Sequence, residues 1–543
     1  TFEFEAVSGN GQFGRRRDDW GNWFANNNPA WLWHYTIEDR YLRRNPKLAV
    51  RSVKKPLADY ADGTRVFPAS AAMARFNQPD SYGHVTSACS PSPYRDELFG
   101  ADFATSVFIS EPVHNVVHRE VLEADGATFT SHRAPGEEQS EFLASTDAWF
   151  RPTTLKTGPD GALYIADMYR FVLEHPEWIV PETQARLDLR AGADRGRIWR
   201  VKPAGAQLRP TPNLAALDDA KLVAALDNPN GWQRDTAQRL LFERNAKAAS
   251  ELRQRLATAA NPKVRVQILA TLDTLHALDA DAIRIGIRDT HPAVRVQALR
   301  ASESLTPEIL PTILACLGDP EFTVRRQLAF TLGTWRDERA TAALAHLAER
   351  DGEQDSMRIA ILSSLAPDDP LFAKLNTAPA ASGPVPILPK PTTADRAKVI
   401  ASYAQVGELK GDAARGRTLF QQQCAICHRL RGEGQDVGPD LGMVAAKPLD
   451  WLLTAIFDPN AAIEPRYQAQ TVKLKSGTEF TGIIVAETAN NLTLRQPGGT
   501  EAPALRSDIA TQTALGKSLM PEGLESALRA QDLADLLAAL RAP

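Results

Sequence analysis

Cys424 and Cys427 are separated by two residues and followed at once by His428, in the pentapeptide CAICH. Thiols at this spacing form thioethers with the vinyl groups of a haem, and the histidine that follows is presented as the proximal ligand to the iron. Zinc would need two further Cys or His partners, and His428 is the only histidine after His346. One covalent haem c is therefore expected, with the chain folded around it. Attachment requires thiols and haem to meet outside the cytoplasm, so a periplasmic or cell-surface location is expected.

The rest of the chain is long. At roughly 150 residues per domain, 543 residues suggest three or four domains. Hydrophobic residues at 43% and charged residues at 24% are near globular averages. With 62 basic against 66 acidic residues and no long basic run, nucleic acid is a poor partner. No run of about 18 apolar residues marks a transmembrane helix. The sequence begins at Thr1 without a basic-then-apolar leader, and a removed export signal is the expectation.

Three textures divide the chain. Residues 1 to 203 are rich in Trp, Tyr, Gly, Pro and Asn, with short apolar runs at 106–110 (SVFIS) and 162–166 (ALYIA). Bounded by turn residues, such runs predict strands, and GPDGALYIAD reads like one blade of a β-propeller. GRIWRV (196–201) predicts another strand. The strands are too few for a complete ring, so a partial propeller is expected. Residues 214–374 change to Ala, Leu and Arg at helical spacing, with a self-similar unit in NPKVRVQILATL, HPAVRVQALRAS and PEFTVRRQLAFTL. Arg265, Arg295 and Arg325 align at a period of about 30 residues, with degenerate neighbours Arg234 and Arg358. The unit resembles short HEAT repeats, and a spacer or docking surface is its ordinary use. Residues 375–393, dense in Pro, Ala and Ser, predict a semi-extended linker. Residues 394–543 then hold a helical run to Cys424, the CAICH site, helix near 449–457, a β meander with turns at Ser476-Gly477 and Asn490-Asn491, and a last amphipathic helix over 526–540. The fold class expected is thus multidomain: partial propeller, α-solenoid, and a mainly α haem domain with an inserted meander.

GRTLFQQQCAICHRLRGEGQDVGPDLGMV resembles the class I cytochrome c fold. The resemblance implies that the Pro439 carbonyl accepts the His428 Nδ1 proton, leaving Nε2 for iron. It also implies that the C-terminal helix crosses closely at Gly416. Met443 and Met520 are the methionines of this domain. Met520 stands in SLMPEGL just before the last helix, where such cytochromes deliver their thioether, whereas Met443 reads as a packing residue on the proximal side. A His428/Met520 pair raises the reduction potential and saturates the iron, which suits electron transfer rather than oxygen chemistry.

DDWGNWF, HVTSACSPSPYRDELFG, EPVHNVVHR, RAPGEEQSEFLASTDAWFRP and GPDGALYIADMYRFVLEHPEWI resemble the second half of the membrane-bound dehydrogenase propeller of planctomycete and verrucomicrobial multidomain c-type cytochromes. In those proteins HEAT repeats and a haem-binding domain follow in the same order. The resemblance implies oxidation of a sugar or alcohol with a quinone cofactor, pyrroloquinoline quinone with calcium, and electrons passing to the haem and on to a redox partner. His114, Arg133, Asp167 and Arg170 are the expected catalytic group, drawn from a polar set with His118, Arg119, Glu137, Glu138 and Asp147. The competing expectation is a non-catalytic electron carrier or scaffold. Cys89 is expected to pair outside this segment or stay a buried thiol, and Cys316 to be a small core residue. Trp20, Trp23, Trp31 and Trp33 read as packing, with a carbohydrate platform as the alternative.

Overall fold

A computed structural model of the chain describes residues 7–9, 11–58, 63–71, 82–174, 179, 181–376, 395–443 and 447–542. Most of the expected linker lies outside the described residues. Two compact units emerge: one gathers the ranges 1–8, 46–52 and 377–543, the other 9–45 and 53–376. The expected β region and solenoid thus share one unit.

The β region forms three open antiparallel sheets of four, five and three strands. Each expected strand is present, at Ser106–Glu111, Leu163–Asp167 and Arg197–Val201. Among the described residues these sheets do not close into a ring, so the architecture is sheets followed by a solenoid. The apolar run Val107-Phe108-Ile109 within Ser106–Glu111 is buried on both faces: Val107 and Ile109 pack with Trp31 and Leu32, while Phe108 packs with Tyr94 and Phe150. This is why that run does not alternate with polar residues. The tryptophans mostly meet partners within the protein: Trp31 stacks on His118 at 4.1 Å, and Trp20 on His291 at 4.7 Å. Cys89 and Cys316 are buried thiols.

His34, on the strand Ala30–Tyr35, carries a pH dependence. Burial, and then the nearby charges of Arg326 and Lys55, push its imidazole down to about 3. Unfolded, the same group titrates near 6.5, so falling pH protonates the unfolded chain first and draws the equilibrium towards it. Stability from this residue is full above about 6.5 and is lost as pH falls toward 3. Urea unfolding of wild type against His34→Gln is expected to show an extra loss of about 2 kcal/mol in wild type between pH 7 and pH 5; parallel profiles would show that His34 is not the acid-labile group.

The repeats explain their arginines. Helices Pro262–Thr274 and Pro292–Ser302 open with proline in the first turn, capped by the side chains of Asn261 and His291. Each aligned arginine turns back to the carbonyls five and six residues before it and reaches a carboxylate in the next repeat. Arg265 meets Asp289 at 2.5 and 2.8 Å, Arg295 meets Asp319 at 2.7 and 2.9 Å, and Arg325 meets Asp351 at 2.7 and 2.9 Å. Arg234 makes the same turn, to the carbonyls of Asn228 and Pro229, but its carboxylate is Asp19 from the DDWGNWF segment. The β region therefore supplies the acid that the first repeat lacks. Arg358 leaves the pattern and pairs with Asp355 one turn away.

Candidate functional site

The helix Ala413–Leu419 runs straight into a π turn, Phe420–Cys424, that delivers the first cysteine. A π turn lodged against a helix is a common mark of a functional segment. Phe420 is fully buried in a core with Tyr403, Leu452, Phe457, Leu533 and Leu537, and Cys424 and Leu441 pack on its edge. This core positions the attachment loop. The closing helix, Ala530–Arg541, crosses Ala413–Leu419 at Gly416, where a Cβ would run into the Asp535 carbonyl and lie 2.8 Å from Ala539 Cβ. Beside the crossing, Asp535 accepts from Arg415 Nε and Nη2 at 2.8 and 3.0 Å and from the Asp412 amide at 2.8 Å. The Arg415 bonds hold its carboxyl down at about 2. Gly416→Ala is expected to cost about 1–3 kcal/mol by overpacking, read from the urea midpoint at the haem band; an unchanged midpoint would mean that the helices part freely.

After Cys424 the chain folds back on its own carbonyls. His428 N donates to Cys424 O at 2.9 Å, Gln435 N to Ala425 O at 2.9 Å, and Val437 and Gly438 N to Cys427 O at 2.9 and 2.7 Å. His428 Nδ1 lies 2.7 Å from the Pro439 carbonyl. A carbonyl can only accept, so Nδ1 carries the hydrogen and Nε2 keeps its lone pair. Burial lowers the imidazole and raises both thiols, Cys424 to about 12, so all three groups are neutral here. Gly438 lies so close under the ring that a Cβ would come within 2.5 Å of His428 Cε1. The donor set fits a covalent haem: two thiols at attachment spacing, one imidazole locked in the iron-binding tautomer, and a glycine that leaves the ring its place.

Met520 sits, half-buried, in a braced loop. Its amide donates to Ser518 Oγ at 3.0 Å, Ser518 N to Asn460 Oδ1 at 2.9 Å, and Asn460 Nδ2 to Glu522 at 2.6 Å. Asn460 had no signal in sequence. Met443 closes a short 3-10 turn, Leu441–Met443, and its side chain lies outside the described residues.

Comparisons with known proteins agree with this geometry. Residues 413–489 match the Cytochrome c family, residues 280–366 match HEAT repeats, and residues 1–205 match a Domain of unknown function (DUF7133). The chain carries a cytochrome c domain. It is 48% identical over 44 residues to a protein named Cytochrome c-553-like from Synechocystis, covering 8% of this chain and 41% of that protein. It is 53% identical over 34 residues to Cytochrome c of Arabidopsis thaliana, covering 6% of this chain and 30% of that protein. The chain thus spans less than half the length of these curated relatives. The cytochrome c domain supports an electron-transfer role with haem c and a redox partner.

The four residues expected to be catalytic are spent on separate hydrogen bonds rather than on one another. His114 is 1% exposed; its Nε2 accepts from Gly83 N at 3.0 Å and its Nδ1 lies 3.0 Å from Glu111. Asp167 is buried and accepts from the amides of Arg151 and Tyr169 and from Trp199 Nε1. Arg170 ties the carbonyls of Met168, Tyr169 and Gly192. Arg133 pairs with Glu141 at 3.1 Å. Of the wider polar set, His118 lies between Glu120 and Glu141 at 2.8 and 2.7 Å, and Arg119 pairs with Glu137 at 3.0 Å. Glu138 accepts from Gly136 N, and Asp147 from Trp149 N. Beside Glu141 opens a cavity of about 470 Å³ lined by Arg65, Phe67, Tyr82, Ser140 and others. Among the described residues, no three His, Cys, Asp or Glu side chains gather as a metal site. No described helix is long and apolar enough to cross a membrane.

Proposed function

We propose that this chain is an exported c-type cytochrome that carries electrons from the oxidation of a sugar or alcohol to a redox partner. Haem is attached through Cys424 and Cys427, and its iron is held by His428 and Met520. The observation that supports the reading is the His428 Nδ1 bond to Pro439, which leaves the Nε2 lone pair available to a metal. Bound haem supplies one-electron chemistry, and the chain's part is to fix the proximal imidazole, enclose the attachment turn in the core around Phe420 and hold the Met520 loop.

The electron source is a dehydrogenase-like activity of the β region, with pyrroloquinoline quinone and calcium as its cofactors. A second reading, an electron-transfer or scaffold subunit without its own oxidation chemistry, is favoured by the burial of His114 and Asp167 and by the backbone amides that His114 Nε2 and the Asp167 carboxylate accept from. The test is the visible spectrum of the air-oxidised protein before and after anaerobic addition of a panel of sugars and alcohols, with and without calcium and pyrroloquinoline quinone. Reduction of the haem by one substrate class supports the first reading. A haem reduced by dithionite and by no substrate supports the second, and a chain without covalent haem overturns both.

A further inference from the structure

Every carbonyl from Cys424 to His428 is taken by an amide, and all but one of those amides come from the attachment loop itself. The exception is Ile426, midway between the cysteines, whose carbonyl accepts from Gly498 N at 2.9 Å. Gly498 belongs to the inserted sheet, in the turn that joins strands Asn491–Arg495 and Glu501–Leu505. Pro497 sets the turn, Gly498 follows with φ 88° and Gly499 with φ 82°, conformations that glycine adopts without strain. A Cβ on Gly499 would collide with Gln435.

Arg495 ends the first of these strands and makes a second attachment. Its guanidinium donates to the Asp436 carbonyl, to Asp436 Oδ2 at 2.9 Å and to Glu501 Oε1 at 2.9 Å. Asp436 lies three residues before Pro439, the acceptor of the proximal histidine's proton. The sheet is braced in turn by residues 46–52. Val50 N donates to Asn491 Oδ1 at 3.0 Å, Asn490 Nδ2 to Leu48 O at 3.1 Å, and Arg51 pairs with Glu501 at 3.0 Å. Leu48 and Val50 are buried.

We infer that the inserted sheet is a clamp on the haem-attachment loop and that Arg495 is its positioning residue. Arg495 holds residues 435–439 so that Pro439 keeps its grip on His428 Nδ1, and that grip makes the imidazole a stronger donor to oxidised iron. Loosening it weakens the donor and raises the reduction potential. The inference rests on the electron-transfer reading above for its redox consequence, but the clamp itself is a property of the chain.

The experiment compares Arg495→Ala, Arg495→Lys and Arg506→Ala. Arg506 serves as control because it holds the same sheet through Glu487 and the Thr488 carbonyl, which belong to no part of the attachment loop. Hydrogen exchange of the amides of residues 435–438, measured in the loaded chain and in a Cys424→Ala, Cys427→Ala background without haem, is expected to quicken about tenfold in Arg495→Ala. Arg495→Lys is expected to restore part of the protection, since it keeps the charge and loses the fork. Spectroelectrochemistry of the loaded protein is expected to show a raised potential in Arg495→Ala and an unchanged one in Arg506→Ala. Wild-type exchange and potential in Arg495→Ala, or equal changes in Arg506→Ala, would overturn the clamp. Absence of covalent haem in the wild type would instead overturn the electron-transfer reading, and the exchange measured without haem would still decide the clamp.

Discussion

Asp19→Ala is expected to destabilise the unit formed by the sheets and the repeats by about 3–5 kcal/mol, the usual cost of stripping the partner from a buried ion pair. The Asp19 side chain is 4% exposed and faces Arg95 at 2.7 Å, Lys263 at 3.3 Å and Arg234, whose side chain is wholly buried. Burial alone would raise its carboxyl, and the three cations overcome that and hold it well below the usual carboxylate range. Alanine leaves a guanidinium in the interior with only the carbonyls of Asn228 and Pro229 for company. Arg95 fares better because it also pairs with Asp235 at 2.6 Å. Asp19→Asn separates charge from shape: it keeps an acceptor for Arg234 and loses the attraction, so an intermediate loss is expected. The measurement is the urea midpoint of the three proteins. A loss below about 1 kcal/mol in Asp19→Ala would show that water reaches Arg234 and that the first repeat needs no acid from the β region.

That contact marks the boundary of what one sequence shows. Arg265, Arg295 and Arg325 were legible as a repeat because each stands at the same place in a self-similar unit, whereas the acids they reach appear only in the fold. Arg234 stood as a degenerate neighbour of that unit, and its acid, Asp19, lies more than 200 positions earlier, where no repeat points to it. The haem site divides the same way. CAICH was readable from its own spacing, whereas Gly416 and Pro439 came only with the resemblance of the surrounding segment to class I cytochromes c. The clamp was not readable: Pro497-Gly498-Gly499 announces a turn but not its target, and the meander yielded five strands where its alternation announced three. The strands missed are Glu501–Leu505, interrupted by Pro503 at the sheet's edge, and Ile509–Ser518, exposed along most of its length and so without a buried face to impose alternation. His114 and Asp167 were singled out for chemistry because polar residues in loops often serve it, yet burial, with His114 Nε2 and the Asp167 carboxylate taken up by backbone amides, is what only the fold reveals at their positions.

Met520→Ala is expected to abolish the low-spin thioether signature of the haem spectrum, while Met443→Ala leaves it intact. The argument is one of preorganisation. An axial thioether must be held at the iron against a competing water, and a ligand on a loose loop loses that contest through the entropy of ordering it. The Met520 loop is already ordered by its own chain: Asn460 receives the Ser518 amide and donates to Glu522, Ser518 Oγ receives the Met520 amide, and Gly523 at φ 95° turns the backbone toward the short helix Leu524–Ser526. Arg396 fastens that helix through Glu525 at 2.7 and 3.2 Å. Asn460→Ala therefore makes a second, independent test, since it removes no ligand and only frees the loop. It is expected to give a mixture of thioether-bound and water-bound haem, shifting toward the latter on warming as the entropy of the freed loop gains weight. If Met443→Ala loses the thioether signature and Met520→Ala keeps it, the distal ligand lies after the attachment loop instead, and the braced 518–523 loop serves only to close the domain.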